Sequence, residues 1–297
     1  MALEALTTEQ VEFYEREGYL VLENRVPMSI IEDVRAEIKR FETEARGMTA
    51  SNDRIDLEDS HTPDAPRVRR IKFPHQVSDV MRDLLHSDQI LAPVRDLCGP
   101  NLRLNTTKLN MKSAQYGAAV EWHQDWAFYP QTNDDVLAIG VLIDDLLPEN
   151  GPLMVFPGSH KGPTFDHHNI DGVFSGAMDL GENSLNMDDA VMLTGPAGSI
   201  TIHHARTVHG SALNTSDFDR RLLFYEMMAA DAFPLVGSLA RFDNFDEYKS
   251  RILCGEHPDQ PRLVDTQIRL PIPTPSDLGS IYEIQKNAKS RPLAGTS

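Results

Sequence analysis

The chain has 297 residues, with 45 acidic side chains against 28 basic ones and a formal net charge of −17. That balance excludes most nucleic-acid readings, which need a basic stripe to displace counterions from phosphates, and it argues against a polybasic membrane helix. No apolar run reaches the ~18 residues of a membrane span, and the first residues lack a basic region followed by an apolar one. The expectation is a cytoplasmic enzyme or binding protein for a small molecule, with no nucleic acid or membrane as partner and homo-oligomerisation left open. Two cysteines, Cys98 and Cys254, are too few for a disulfide framework.

In chain order, the first hundred residues read as a helical layer. Thr7 and Thr8 precede Glu9 and Gln10, and Gly18 stops the segment. Ser29 with Glu32 reads as a capping box opening a run whose Ile31, Val34, Ile38 and Phe41 share one face. Residues 47–66 are polar and read as a long loop, followed by short helices near 78–86 and 88–98. After Pro100 the texture changes. Short apolar or alternating runs at 102–112, 119–126, 136–144, 153–156, 190–193, 199–204 and 221–229 are separated by Gly/Pro turns, which predicts a β sandwich or barrel. Residues 231–297 form a C-terminal extension with one helical stretch near 244–253. No internal linker divides the chain, so a single domain over 1–297 is expected: mainly β (α+β), with a 1–100 helical layer, a 101–230 core and the extension.

Three His-x-Asp motifs occur, at His86/Asp88, His123/Asp125 and His257/Asp259. Residues i and i+2 share a face on a strand but diverge on a helix. His86 sits between helical patterns, and His257 has no later histidine to complete a site. His123/Asp125 lies in the strand-like run Val120–Trp126, and His209 follows a second strand-like run ending at His203-His204. Two histidines and one carboxylate on one face of a metal are the ligand set of non-haem Fe(II) oxygenases, and they leave positions for a bidentate cosubstrate and dioxygen. Eleven residues past His209 is Arg220. A 2-oxo acid that chelates iron and carries a distal carboxylate needs such a permanently charged fork. Ser211 is placed to donate to the same carboxylate. Arg221, adjacent on the opposite face, would exchange roles with Arg220 on a one-residue slip.

These residues, with Lys108-Leu109-Asn110-Met111-Lys112, Trp122-His123-Gln124-Asp125, Asp144-Asp145, Glu149-Asn150-Gly151-Pro152, Pro157-Gly158-Ser159-His160-Lys161-Gly162 and Asn214, resemble the phytanoyl-CoA dioxygenase family of Fe(II)/2-oxoglutarate oxygenases over about residues 8–230. The resemblance implies a double-stranded β-helix (jelly-roll, cupin-like) core. It implies Fe(II) at the catalytic residues His123, Asp125 and His209, and 2-oxoglutarate at Arg220 and Ser211, with Lys108 a further cofactor contact. It further implies that O2 is consumed, that ascorbate supports turnover, and that a substrate C–H is hydroxylated as succinate and CO2 leave. Retention of Asp125 implies hydroxylation rather than halogenation. Where some members place a bulky or hydroxylated side chain against the cosubstrate, this chain has Ile139-Gly140-Val141. Two alternatives stand beside this reading: a cupin-type metal enzyme without 2-oxoglutarate, and a catalytically silent binding protein on the same scaffold.

Arg69 and Arg70, in the basic cluster Arg67–Lys72, are candidates to meet an anionic substrate. His204, His167 and His168 are candidates to line the pocket, and Trp126, Trp122 and Tyr129 to form an aromatic wall, although core packing is the simpler expectation for the aromatics.

Overall fold

A computed structural model describes residues 2–236, 244–275 and 280–295. Its helices are α1 (Thr8–Glu17), α2 (Met28–Glu44), α3 (Asp79–Leu85), α4 (Asp88–Cys98), α5 (Phe245–Ser250) and α6 (Ile281–Ile284). Its strands are β1 (Tyr19–Leu22), β2 (Ile55–Leu57), β3 (Val68–Lys72), β4 (Leu102–Lys112), β5 (Val120–His123), β6 (Val136–Leu142), β7 (Leu153–Val155), β8 (Val191–Leu193), β9 (Ile200–His204), β10 (His209–Ser211), β11 (Arg220–Ala229) and β12 (Ile252–Cys254).

The strands form two antiparallel sheets. The larger runs β1-β9-β6-β11-β4-β3-β2, with β12 also on β4, and the smaller runs β5-β10-β7-β8. Together they make an open jelly roll, as expected. The period of two along a strand decides what each face does. On the larger sheet Leu109, Ile139, Val141, Leu223 and Tyr225 pack in one core with Ile31, Val34, Ile38 and Phe41 of α2. Each such buried side chain contributes roughly 1.5–3 kcal/mol. The Tyr225 hydroxyl ties the layers by donating to the Met81 carbonyl at 2.6 Å. The alternate residues Lys108, Asn110, Ala138, Leu222 and Phe224 face a cavity closed on its other side by the smaller sheet.

Three expectations need correction. The first hundred residues are not purely helical, since β1, β2 and β3 extend the larger sheet at both edges. Residues 47–66 include β2, paired with β3. The Ser29/Glu32 capping box does not form, because α2 begins at Met28 behind Pro27, whose side chain makes no cap bond. The Thr7/Gln10 box at α1 does form. No helix among the described residues is long and apolar enough to cross a membrane.

Candidate active site

The smaller sheet brings together residues 86 positions apart: β5 and β10 pair so that His209 lies opposite His123. A short 3-10 turn at Asp125–Ala127 bends the chain after β5 and brings Asp125 back toward both rings. His123 Nε2 is 3.8 Å and His209 Nε2 3.9 Å from the same Asp125 oxygen. These distances are too long for hydrogen bonds, and one donor atom from each residue lies within 4.8 Å of the others.

The opposite ring nitrogens fix the tautomers. His123 Nδ1 is 2.7 Å from the Glu121 carbonyl, and His209 Nδ1 is 2.9 Å from that of Thr207. A carbonyl only accepts, so each Nδ1 carries the hydrogen and each Nε2 keeps its lone pair for a metal. Burial pushes His123 down to about 4 and His209 well below its usual value, so both rings are neutral ligands. Burial alone would raise Asp125, but His209, His203 and Lys108 around it outweigh that and hold the carboxyl well below the ordinary range. Two neutral imidazoles and one carboxylate fit a divalent iron ion.

The surroundings hold these ligands. Gln124, between His123 and Asp125, donates its backbone N–H to His167 Nε2 at 2.9 Å. Its side chain donates to the Pro163 and Arg206 carbonyls. Glu121 accepts from the backbone N–H groups of Leu293 and Ala294, and its own N–H donates to Gln285 Oε1. The C-terminal extension thus braces the strand that carries His123.

The cavity encloses about 530 Å³ including its mouth. At the end away from the triad, Arg220 is 2% exposed and donates to the Gly151 carbonyl at 2.8 Å, while its Nε has no partner. Burial lowers it to about 10, so it remains charged near neutrality. Ser211 lines the same end, and Lys112 donates to its Oγ at 2.9 Å and also to the Ala212 carbonyl. Arg221 points the other way and makes a two-pronged pair with Asp144 at 2.8 and 2.6 Å.

The family model for phytanoyl-CoA dioxygenase (PhyH) matches residues 14–222. A probable alpha-ketoglutarate-dependent hypophosphite dioxygenase from Stutzerimonas stutzeri is 35% identical over 281 residues, covering 94% of this chain and 96% of its own. The chain belongs to the phytanoyl-CoA dioxygenase family. Human peroxisomal phytanoyl-CoA dioxygenase is 26% identical, covering 76% of this chain and 69% of its own. An ectoine dioxygenase of Bordetella parapertussis is 28% identical, covering 74% and 75%. The crystal structure of EctD from S. alaskensis with bound Fe has the same fold at TM-score 0.65 and 22% identity, covering 87% of each chain. This PhyH-family protein is a 2-oxoglutarate-dependent non-haem iron dioxygenase that uses Fe(II), 2-oxoglutarate and O2. The cupin-type and silent-binder alternatives are set aside.

In this PhyH-family protein the remaining sequence candidates fall unevenly. Lys108 lines the cavity, with its ammonium 2.6 Å from Glu226. Arg69 does not line it: its guanidinium is taken by Glu58 and Asp59 at 2.9 Å and Glu283 at 3.1 Å. Arg70 is paired with Asp56, which also holds Lys72. Carboxylates that the sequence scatters thus engage Arg69, Arg70 and Lys72, while Arg67 donates to the Ser60 carbonyl and lies over the Tyr116 ring. His204 faces away from the cavity, with its ring 5.3 Å from that of His160 and 6.4 Å from that of Tyr14. Alternation along β9 turns its neighbour His203 inward instead. Trp126 packs in the core with Tyr129 and Met228 and donates to the Gln267 carbonyl, and Trp122 is also core. His168 is held by Asp166 and the Ile272 carbonyl.

Sequence reasoning missed His203, Tyr282, Phe224 and Glu226. A Cβ on Gly140 would meet Phe224 Cε1 at 2.9 Å and Thr201 Oγ1 at 2.7 Å. The bulk absent from β6 is therefore supplied by Phe224 of β11. Tyr282 reaches the cavity from α6, beyond the stretch that resembles the family.

Proposed function

We propose that the whole chain works as one cytoplasmic catalytic unit that hydroxylates a small anionic substrate. His123, Asp125 and His209 would hold iron, and Arg220 and Ser211 would receive the distal carboxylate of 2-oxoglutarate. The observation that carries this assignment is a buried arginine with no ion-pair partner among the described residues, in the same cavity as three convergent metal donors. When bound, Fe(II) with 2-oxoglutarate and O2 supplies the oxidant, one oxygen atom going to substrate and one to the succinate that leaves with CO2.

The protein's own groups prepare for this. Lys112 donates to Ser211 Oγ, which leaves the Ser211 hydroxyl hydrogen free to be given to a carboxylate. The Arg220 guanidinium has lost its water, so a dianion gains more from it than at the surface. Tyr282 and Phe224 line the cavity between the two sheets and limit solvent there.

The substrate class is supported by the hypophosphite dioxygenase, whose named substrate is a small anion and which aligns over nearly the whole chain. A cytoplasmic location is supported by two cysteines left unpaired. Succinate release, measured with Fe(II) and ascorbate across a panel of small anions, amino acids and acyl thioesters, tests the reading. Succinate formation stimulated by a small anion is the expected result. Absence of a weak visible absorption band on anaerobic mixing with Fe(II) and 2-oxoglutarate would sink the chelation assignment.

A further inference from the structure

The register of the larger sheet places His203, Ala138 and Glu226 in one row across β9, β6 and β11. The next row on the same face holds Thr201, Gly140, Phe224 and Lys108. These two rows carry a buried polar group that the assignments above do not use. Lys108 Nζ lies 2.6 Å from Glu226 Oε1 and 5.6 Å from the Phe224 ring centroid. The Glu226 side chain is 2% exposed and that of Lys108 26%, so it is the ammonium that faces the cavity. His203 is 2% exposed, and neither of its ring nitrogens has a hydrogen-bond partner. Its Nε2 stands 3.5 Å from Asp125 Oδ2, directly beside the triad.

Lys108 and Arg220 are the two lysine or arginine side chains that line this cavity among the described residues, and they serve different ends of it. Lys108 pairs across the sheet with Phe224, four residues along β11 from Arg220, or about 13 Å at ~3.3 Å per residue. Glu226 lies two residues farther on, so the ion pair draws the ammonium away from Arg220 and toward His203 and Asp125. A distal carboxylate held at Arg220 would thus lie toward the opposite end of the cavity from the Lys108 ammonium.

Resting on the dioxygenase reading above, we propose that Lys108, held by Glu226, and His203 form the substrate seat, and that this seat takes a small oxyanion. The ammonium supplies the charge, and the imidazole, whose Nδ1 has no partner and whose Nε2 only approaches Asp125 at 3.5 Å, supplies a hydrogen bond. A buried histidine with both nitrogens unpaired is costly unless a ligand completes it. Hypophosphite is the probe of choice, because P–H to P–OH needs no oxidant beyond those the family uses. Hypophosphite, 2-oxoglutarate and O2 give phosphite, succinate and CO2, with the substrate proton count unchanged.

The test compares binding with turnover. Hypophosphite is titrated calorimetrically into the anaerobic Fe(II)- and 2-oxoglutarate-loaded protein, and both KM values are measured in air. Lys108→Met is expected to weaken hypophosphite binding and raise its KM by about 10- to 100-fold, the value of a charged hydrogen bond, while the KM for 2-oxoglutarate moves less than about twofold. Lys108→Arg should recover most of the affinity. His203→Phe should raise the hypophosphite KM in the same direction with 2-oxoglutarate unaffected. Lys108→Met leaves Glu226 without its partner, so the double variant Lys108→Met/Glu226→Gln is measured alongside and should show the same separation. A rise in the 2-oxoglutarate KM with hypophosphite binding unchanged would overturn the proposal and return Lys108 to the cosubstrate. Succinate formation coupled only to neutral or zwitterionic substrates would also overturn it, with the dioxygenase reading intact. A protein that consumes no 2-oxoglutarate with any substrate would instead remove the reading beneath it.

Discussion

The two ends of the cavity solve opposite electrostatic problems. At the triad end the protein provides negative charge and lone pairs: one ionised carboxylate and two histidines kept neutral by burial, their tautomers fixed by main-chain carbonyls. At the far end it provides buried positive charge, with Arg220 bonded only to a neutral carbonyl. Each end is costly alone, because an unpaired charge out of water is destabilising. Iron offsets the first and a dicarboxylate the second. The difference teaches that metal and cosubstrate each complete one end, and the first two substitutions below unbalance one end each.

The largest effect falls on the triad. Asp125→Ala removes the anionic ligand and leaves two neutral imidazoles, so turnover should drop to background and Fe(II) should no longer be retained through gel filtration. Retained iron with full succinate formation would show that the metal lies elsewhere. Next comes Arg220→Ala, which strips the far end of its fork. The KM for 2-oxoglutarate should rise by about 10- to 100-fold, while iron content stays the same. A matching loss of iron would mean that the two ends are not separable.

A smaller effect separates the ligands from what orients them. His167 accepts the N–H of Gln124 between two metal donors, and its pKa is lowered to about 3 by burial. His167→Phe keeps the bulk and removes the acceptor, so Fe(II) affinity should fall by about tenfold with the 2-oxoglutarate KM unchanged, as read by competition with a chromophoric chelator.

Most of this was legible in the sequence where chemistry lay in local patterns. His123-x-Asp125 needs only one turn to converge, and the runs 102–112 and 221–229 correspond closely to β4 and β11. What escaped lies in register. His203 and His204 differ by one residue and hence by a whole face, which neither side chain announces. The Lys108–Glu226 pair depends on the alignment of two strands over a hundred residues apart. In the sequence Arg69 and Arg70 read as free cations because their carboxylate partners, from Asp56 to Glu283, cannot be recognised without the fold. β10, with three residues, was too short to show a period.

Acid should expose the histidines that the fold keeps neutral. His204 is half-buried and lowered to about 3, first by desolvation. Its folded pKa lies below the unfolded value near 6.5, so the unfolded chain takes up the proton first. The stability it contributes is complete above about pH 6.5 and is lost as pH falls toward 3, at up to about 1.4 kcal/mol per pH unit. His204→Phe should flatten the fall of Tm between pH 6.5 and 4.5 and leave the 2-oxoglutarate KM alone.

The smallest effect distinguishes Arg220 from its neighbour. Arg221 grips Asp144 outside the cavity, and both side chains keep partial contact with solvent, at 20% and 13%. Such a pair contributes on the order of 1 kcal/mol. Asp144 is not stranded when Arg221 is lost, because Arg35 Nη2 remains 3.7 Å away. Arg221→Ala should therefore lower Tm by only a few degrees and leave the KM for 2-oxoglutarate within about twofold, against the 10- to 100-fold rise for Arg220→Ala. Equal increases for the two variants would place the cosubstrate's carboxylate between the faces of β11, which the alternation of the strand forbids. That result would require a register different from the one pairing Arg220 with Lys112.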